Sequence, residues 1–334
     1  MEKKKIIIFG ATGNTGSYLT DYAKKFFDKN EYEIIAVGRR ETNFFESIDV
    51  KFYSVDISKK EDFNVLPTDN VYAVMMLAGV LPAFMSGYNP YDYIYTNILG
   101  ALNVLEYCRI NKVDRIIYTQ TIADLSGYFG KEKILHPDMP RKIKMTGDHA
   151  LYAISKSTAV DMIEHYHQEY GIKNFIFRLP TIYQYTPDDG YNVDGVYKKL
   201  GYRILIDKAI NGEPIEMWGN PDNEKDIVYV ADFSQMLCKA VLANVETGFY
   251  NVGTGVGTSL RKQIEGIIDV FCGEKKSEII ECPDKPDSPV YIMDIENAKR
   301  DLGYEPKYDY ISYLKELKKE MKLDRFKQLK KNLK

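Results

Sequence analysis

Tyr152 and Lys156 stand four residues apart in Tyr152-Ala153-Ile154-Ser155-Lys156, the one Tyr-x-x-x-Lys of the chain. A helix brings residues at that spacing onto one face. A phenol beside an ammonium is a proton-transfer device, because the cation stabilises phenolate and draws the tyrosine pKa down from its reference near ~10. A tyrosine so poised can take a proton from an alcohol or return one to a ketone. A solvated helix face would show the same spacing, so the elements around the pair must decide.

A second set of candidates lies in Gly10-Ala11-Thr12-Gly13-Asn14-Thr15-Gly16. This stretch follows an apolar run and opens an amphipathic one, the strand-turn-helix context of a dinucleotide fingerprint. Gly10, Gly13 and Gly16 let the backbone turn tightly and approach a pyrophosphate. The helix start, with Thr12, Asn14 and Thr15 around it, offers N–H groups and a positive dipole end. The next apolar run ends in Gly38-Arg39-Arg40, with no acid. A carboxylate there would accept from an adenosine ribose hydroxyl and repel a 2′-phosphate, whereas arginine binds the phosphate through its fork. Arg39 and Arg40 therefore favour NADP(H) over NAD(H). Asp56, in Val55-Asp56-Ile57, is a candidate for the adenine amino group, with Ile57 beside it.

The elements that must position these residues alternate. Lys5–Phe9, Glu33–Val37, Val50–Ser54, Val71–Leu77, Arg115–Thr119 and Asn174–Arg178 read as strands apolar on both faces, as in a covered parallel sheet. Thr15–Asp28, Lys59–Val65, Tyr91–Asn111 and His149–Tyr170 read as helices, the last stopped by Gly171. The pattern predicts an α/β chain: a Rossmann-type doubly wound parallel sheet over residues 1–180. Beyond Pro180 the rhythm changes. Helices near Val196–Asn211, Ala231–Ala243, Ser259–Phe271 and Tyr310–Met321 alternate with short strands near Pro214–Met217, Asp226–Val230, Phe249–Val252 and Glu278–Glu281. This predicts a smaller mixed lobe over residues 181–334, from which some segments can return to the sheet.

Composition excludes several classes. The 334 residues are 45% hydrophobic and 28% charged with a net charge of −3, which suits a soluble globular protein without a nucleic-acid footprint. The apolar run at the start is too short for a signal core, and no run approaches a membrane span. Cys108, Cys238, Cys272 and Cys282 are scattered without metal-ligand spacing and read as thiols of a reducing, cytoplasmic compartment. His165 and His167, two apart, point to different sides of a helix and form no zinc pair. The Lys-rich stretch Lys315–Lys334 reads as a solvated helix face.

With these residues in view, the chain resembles the extended short-chain dehydrogenase/reductase family of NAD(P)-dependent nucleotide-sugar epimerases, dehydratases and reductases. Gly10, Gly13 and Gly16 match its glycine motif. Ala78-Gly79 matches its small-residue turn after the fourth strand, with Leu77 beside it a candidate to border the cofactor, and Asn97-Ile98-Leu99-Gly100 its Asn-x-x-Gly helix. Tyr152 and Lys156 match its Tyr-x-x-x-Lys, and Arg178-Leu179-Pro180-Thr181 its Arg-Pro stretch. The resemblance extends to about Pro306. It implies that Thr121, in Tyr118-Thr119-Gln120-Thr121, is the catalytic hydroxyl that hydrogen-bonds the sugar oxygen beside Tyr152. It implies that Lys156 holds the nicotinamide ribose and lowers the Tyr152 pKa, and that Asn97, Thr119, Leu179 and Thr181 border the cofactor. It implies a nucleotide-sugar substrate and a homodimer built on Tyr91–Asn111 and His149–Tyr170.

The departures matter as much. Dehydratase members carry an acidic pair after the catalytic threonine. Ile122 and Ala123 stand there, and Asp124 comes one residue late, which argues against 4,6-dehydration. Where relatives often place arginines for the substrate diphosphate, this chain has Lys225 and Lys285, point charges without the fork; Arg203 joins them as a third candidate. Phe84, Met85, Tyr88, Tyr91 and Tyr93 are candidates to line the sugar pocket, Trp218 to pack on a base, and His149 to reach the substrate. The resulting expectation is a 4-epimerase working by transient oxidation at carbon 4 of the sugar. The alternatives are an NADPH-dependent 4-keto-sugar reductase and an NADP-sensing regulator without turnover, though regulators of this kind usually lose the Tyr/Lys pair.

Overall fold

Residues 2–82, 85, 87–147, 149–193 and 196–329 are described by a computed structural model. Phe84 and residues 330–334 lie outside the described residues. Seven strands among the described residues form one parallel sheet: β1 (Lys4–Phe9), β2 (Tyr32–Gly38), β3 (Lys51–Ser54), β4 (Val71–Met76), β5 (Arg115–Thr121), β6 (Lys173–Leu179) and β7 (Thr247–Asn251). Their order across the sheet is β7-β6-β5-β4-β1-β2-β3. The order reverses between β1 and β4, and in doubly wound sheets ligands bind outside the strand ends at such a reversal.

Both faces of the sheet are covered, as the continuous apolar strands predict. Side chains alternate along β1: Ile6 and Ile8 pack with Leu19, Phe233 and Met236, while Ile7 and Phe9 pack with Val104, Leu105 and Ile163. The first face carries α1 (Asn14–Phe26) and the later helix Val230–Leu242; the second carries α2 (Gly100–Ile110) and α3 (His149–Tyr170). Each fully buried Ile, Leu or Phe contributes roughly 1.5–3 kcal/mol by leaving water, so this double layer holds the strand ends in place. Gly171, at φ +70°, stops α3 where the sequence predicts.

Two elements differ from the sequence expectation. The helix expected over Tyr91–Asn111 is interrupted, because Tyr93–Leu99 winds as a π-helix before α2 begins. A Cβ at Gly100 would meet the Ile57 side chain at 2.7 Å, so the glycine lets this join press onto the loop after β3. The helix expected from Val196 starts only at Gly201, as α4 (Gly201–Asn211). Val196–Lys199 is instead a strand antiparallel to Gly190–Val193, its alternation and its Val and Tyr favouring extended backbone. As expected of some segments beyond residue 180, β7 returns to the main sheet, beside β6.

The rest of the chain forms short two-stranded pairs. Ile215–Trp218 lies parallel to Ile279–Cys282, Glu224–Asp226 antiparallel to Gly257–Ser259, and Val228–Tyr229 parallel to Ile182–Tyr183. The helix α5 (Tyr310–Leu323) follows, capped by Asp309, whose side chain accepts from Ser312 N–H. Asp324, in the left-handed region at φ 43°, then turns the chain back toward α1. No helix of the described residues is long and apolar enough to cross a membrane.

Candidate active site

The glycine-rich turn sits at the sheet reversal. Gly10 has φ +88°, and a Cβ there would come 2.6 Å from the Ala78 nitrogen. A Cβ at Gly16 would overlap the Gly10 carbonyl, so helix and turn touch through bare backbone. Gly13 caps α1 with no side-chain hydrogen bond. Asn14 and Thr15 open the helix, and its first N–H groups are left for an anion. Thr12 lies under Gly38, where any Cβ would strike its side chain at 2.6 Å. Leu77 and Ala78 both donate their N–H to the Phe9 carbonyl (2.9 and 3.1 Å), which sets Gly79 against the same crevice. This is a cradle built for close approach of a flat, phosphate-bearing ligand.

The arginines at the end of β2 behave differently from each other. Arg39 is exposed. Arg40 is half-buried, and its Nη2 donates to the carbonyls of Thr12 (2.9 Å) and Leu329 (3.0 Å). Asp56 accepts from the N–H and hydroxyl of Ser58 (3.1 and 2.8 Å), a tight local turn. Ile57 is buried under Gly100, and its carbonyl accepts from Asn103 at 2.8 Å.

Thr121, Tyr152 and Lys156 converge. Thr121 ends β5 and is buried; its hydroxyl accepts from the Ala123 N–H at 3.1 Å and its side chain hydrogen-bonds the Tyr152 phenol. Tyr152 is 8% exposed and Lys156 4% exposed, one turn apart on α3. The Lys156 Nζ stands 4.1 Å from the centroid of the Tyr118 ring and would lie 3.9 Å from a Cβ at Gly79. The ammonium therefore points at the crevice between β4 and β5.

The electrostatics correct the expectation that Lys156 lowers the Tyr152 pKa. Burial pushes the phenol up to about 12, against the Thr121 hydrogen bond that favours phenolate; Tyr93 adds to the rise. Burial also pulls Lys156 down to about 7. Desolvation disfavours the charged form of both groups and is the largest cause of both shifts; the mutual attraction that spacing suggested is not among the causes. The Tyr118 π face beneath the ammonium opposes the drop in Lys156.

A polar frame holds these groups, joining Asn97 and Thr119 of the motif reading to Gln120, Ser155 and Ser157, which it missed. Asn97, buried in the π-helix, accepts from Val80 N–H (2.8 Å) and donates to Val80 C=O (3.1 Å) and Ser155 Oγ (3.0 Å). It ties the turn after β4 to the residue before Lys156. Gln120 accepts from Thr121 N–H at 2.8 Å and donates to Ser157 Oγ at 3.1 Å, locking β5 to the other side of Lys156. Thr119 is buried and donates to the Met76 carbonyl at 3.3 Å. Ser155 and Ser157 flank Lys156 in sequence, the one signal that could have revealed them. Met85 and Tyr93 pack on Tyr152, and the His149 ring stands edge-on 6.2 Å from it, whereas Tyr88 and Tyr91 are exposed.

Asp124 is spent elsewhere. It is fully buried against Arg178, whose Nε donates to both carboxylate oxygens at 2.9 and 3.1 Å. Arg178 also reaches Asn251 Oδ1 on β7 at 3.0 Å. This acid braces β5, β6 and β7 and has no lone proton-donor role.

The substrate candidates do not all meet. Leu179 ends β6 and Thr181 lies just beyond it, where its side chain hydrogen-bonds Tyr291. Lys225 is near the same end, 5.5 Å from the Tyr183 ring, its pKa lowered by burial. Arg203, on α4, is 8% exposed and 5.0 Å from the Tyr185 ring; its Nε and Nη1 have no partner among the described residues. A buried cation with unspent donors is suited to an anion. Trp218 and Lys285 form a separate surface pair: the indole is 47% exposed and bonded to Glu216 at 2.7 Å, with Lys285 5.5 Å from its ring.

Comparison with known proteins places this geometry. Residues 6–253 match the model of the NAD dependent epimerase/dehydratase family. A UDP-glucuronate 4-epimerase of Thermodesulfobacterium geofontis is 26% identical over 281 residues, covering 82% of this chain and 80% of its own. The UDP-glucose 4-epimerase of Thermotoga maritima, solved with UDP-glucose, shares the fold with a TM-score of 0.74 at 23% identity, over 95% of this chain and 98% of its own. That of Thermus thermophilus, solved with NAD, does so at a TM-score of 0.71 and 22% identity, over 97% and 99%.

Proposed function

Since the chain belongs to the NAD dependent epimerase/dehydratase family, we propose that it is a nucleotide-sugar epimerase acting by transient oxidation at carbon 4 of the sugar. The observation that carries this is the buried convergence of Thr121, Tyr152 and Lys156 beside Gly79. The names of its relatives make a UDP-hexose or UDP-hexuronate the first substrate class to try.

The cradle at Gly10, Gly13 and Gly16 fits a dinucleotide, because each close backbone approach there leaves no room for a side chain. When bound, a nicotinamide dinucleotide supplies hydride acceptance and return. The protein's own groups handle position and the proton. Thr121 holds the sugar hydroxyl oxygen against Tyr152. Tyr152 takes its proton, and the same phenol gives it back once the sugar has turned over. Lys156, with the Gly79 turn in reach, takes the ribose hydroxyls and supplies positive charge near the phenol. Its pKa near 7 makes that charge sensitive to what binds beside it. Asn97 and Gln120 position this set without touching the sugar. Arg203, with unspent donors, and Lys225 take the substrate diphosphate.

The preference for NADP(H) over NAD(H) rests on Arg39 and Arg40. With Arg40 engaged by two carbonyls, exposed Arg39 carries that argument alone. Arg39 also motivates the second reading, an NADPH-dependent 4-keto-sugar reductase. A homodimer is supported by exposed apolar residues on the expected faces: Tyr91, Ile94, Tyr95 and Leu99 with Ile154 of α3.

One experiment separates these readings. The protein is incubated with UDP-glucose, UDP-galactose and UDP-glucuronate, with NAD⁺ or NADP⁺ supplied in catalytic amount, and products are resolved by NMR. Inversion at carbon 4 without net cofactor change is expected. In a parallel incubation of a UDP-4-keto-hexose with stoichiometric NADPH, consumption of one NADPH per sugar, with no inversion in the first, would replace the epimerase reading by the reductase.

A further inference from the structure

The segment 325–329 folds back onto the glycine-rich turn, far from it in sequence. Arg325 anchors it, bonding Asp21 of α1 at 2.7 Å and the Glu320 carboxylate through Nε and Nη2 (2.9 and 2.7 Å). Phe326 fills an aromatic slot, its ring 4.5 Å from Tyr18 and 5.5 Å from Phe44. Phe326 and Leu329 are both buried, and with Tyr18 and Tyr185 they wall a recess beside Gly13 and Asn14. The segment thus borders the place where the fingerprint turn would receive a pyrophosphate.

Its last contact falls on Arg40. A guanidinium Nη carries two N–H groups, and both of those on Nη2 are used, one by Thr12 C=O and one by Leu329 C=O. The residues just after β2 are where a Rossmann sheet meets the adenosine ribose. A 2′-phosphate seeking the Nη2 edge of Arg40 would have to displace two carbonyl acceptors, and at the neighbouring edges of the same guanidinium it would crowd their partial negative charge. A neutral 2′-hydroxyl brings no such conflict, since it can donate to a carbonyl. The chain lacks a carboxylate at the end of β2, and the Leu329 carbonyl supplies an acceptor at that end.

We propose that the segment 325–329 is the wall that sets dinucleotide choice: docked, it commits Arg40 to Leu329 and selects NAD(H) against NADP(H). This rests on the dinucleotide reading of the cradle and goes beyond it, because it names the determinant and reverses the preference drawn from the arginines alone.

The test is equilibrium binding of NAD⁺ and NADP⁺ to the full chain, followed by calorimetry. Wild type is expected to bind NAD⁺ more tightly. Phe326→Ala empties the aromatic slot, and Leu329→Asp places a charge where an apolar side chain is buried; each loosens the segment by a different route. Each is expected to tighten NADP⁺ about tenfold, roughly the worth of one charge-assisted hydrogen bond, with NAD⁺ held within about threefold. Adding Arg40→Leu to either variant should remove the gain. Equal weakening of both dinucleotides, unchanged NADP⁺ affinity in both variants, or a wild type that prefers NADP⁺ overturns the proposal. A wild type that binds neither dinucleotide overturns it together with the reading of the cradle, which sets that failure apart from the others.

Discussion

Two buried pairs at the same end of the sheet invite comparison. Asp124 and Arg178 face each other with both partners sealed and hydrogen-bonded: Nε donates to both carboxylate oxygens, and Nη1 to Asn251 and the carbonyls of His136 and Pro137. Tyr152 and Lys156 are sealed to a similar degree, yet among the described residues neither has a counter-ion against it. The first pair is a brace: burial raises the Asp124 carboxyl, but the Arg178 charge and hydrogen bonds oppose that rise and offset much of the desolvation. The second answers burial by shifting both groups toward neutrality, to about 12 and about 7. Burial with a partner makes structure; burial without one leaves groups whose protonation responds to a ligand.

The largest expected effect breaks the second pair. Tyr152→Phe keeps the ring packed on Met85 and Tyr93 and removes only the proton carrier. Turnover should fall ~10²–10⁴-fold, the usual worth of general acid–base catalysis. The urea midpoint should stay close to wild type. If activity survives at more than about a tenth of wild type, the pair is not the proton device and the comparison collapses.

Next comes the brace. Asp124→Ala leaves the Arg178 charge buried with no carboxylate and should cost ~3–5 kcal/mol in unfolding free energy. Asp124→Leu combined with Arg178→Met should recover much of that loss, since it removes both charges. A single-variant loss below about 1 kcal/mol would mean that water reaches the pair and that it is no different from a surface bridge.

A smaller change sharpens the contrast by touching the frame rather than either pair. Asn97→Ala leaves Val80 N–H and C=O without their side-chain partner, at roughly 1–3 kcal/mol. Because Asn97 also touches Ser155 beside Lys156, NAD⁺ should bind more weakly, while Gln235→Ala in the distant Glu305 contact should leave binding unchanged. Calorimetry on both variants checks this.

What was legible in the sequence follows from how local each cause is. The glycine turn, the α3 stop at Gly171 and the seating of Tyr152 over Lys156 depend on near neighbours, and spacing exposes them. Asp124–Arg178 spans 54 residues and Arg40–Leu329 spans 289. No pattern in either segment announces such a partner, so in the sequence Asp124 reads only as an acid one residue out of place and Arg40 as a phosphate ligand. The π-helix at Tyr93–Leu99 carries the apolar spacing of an ordinary helix; its extra residue per turn shows only in where Asn97 ends up. The sign of the Tyr152 shift failed for a related reason. Spacing predicts that two charges meet, while the degree of burial decides whether they remain charged.

That last point yields the finest test. In the unfolded chain Lys156 titrates near its ordinary 10.5, while in the folded protein its pKa is about 7. Between these values the unfolded state binds the extra proton, so stability rises with pH. Below about pH 7 both states are protonated and the full cost of burying the ammonium is felt. As pH climbs from about 7 toward about 9, wild type without dinucleotide should gain stability relative to Lys156→Met, by up to ~1.4 kcal/mol per pH unit. The gain must level off near pH 10.5, where Lys156 of the unfolded chain also loses its proton; Tyr152 is common to both proteins and cancels. Urea midpoints measured every half unit on both proteins give the slope. A parallel pair of curves would mean that the Tyr118 π face keeps Lys156 charged throughout. The second pair would then be a permanently ionised site, and its difference from the Asp124–Arg178 brace would lie in access to ligand rather than in protonation.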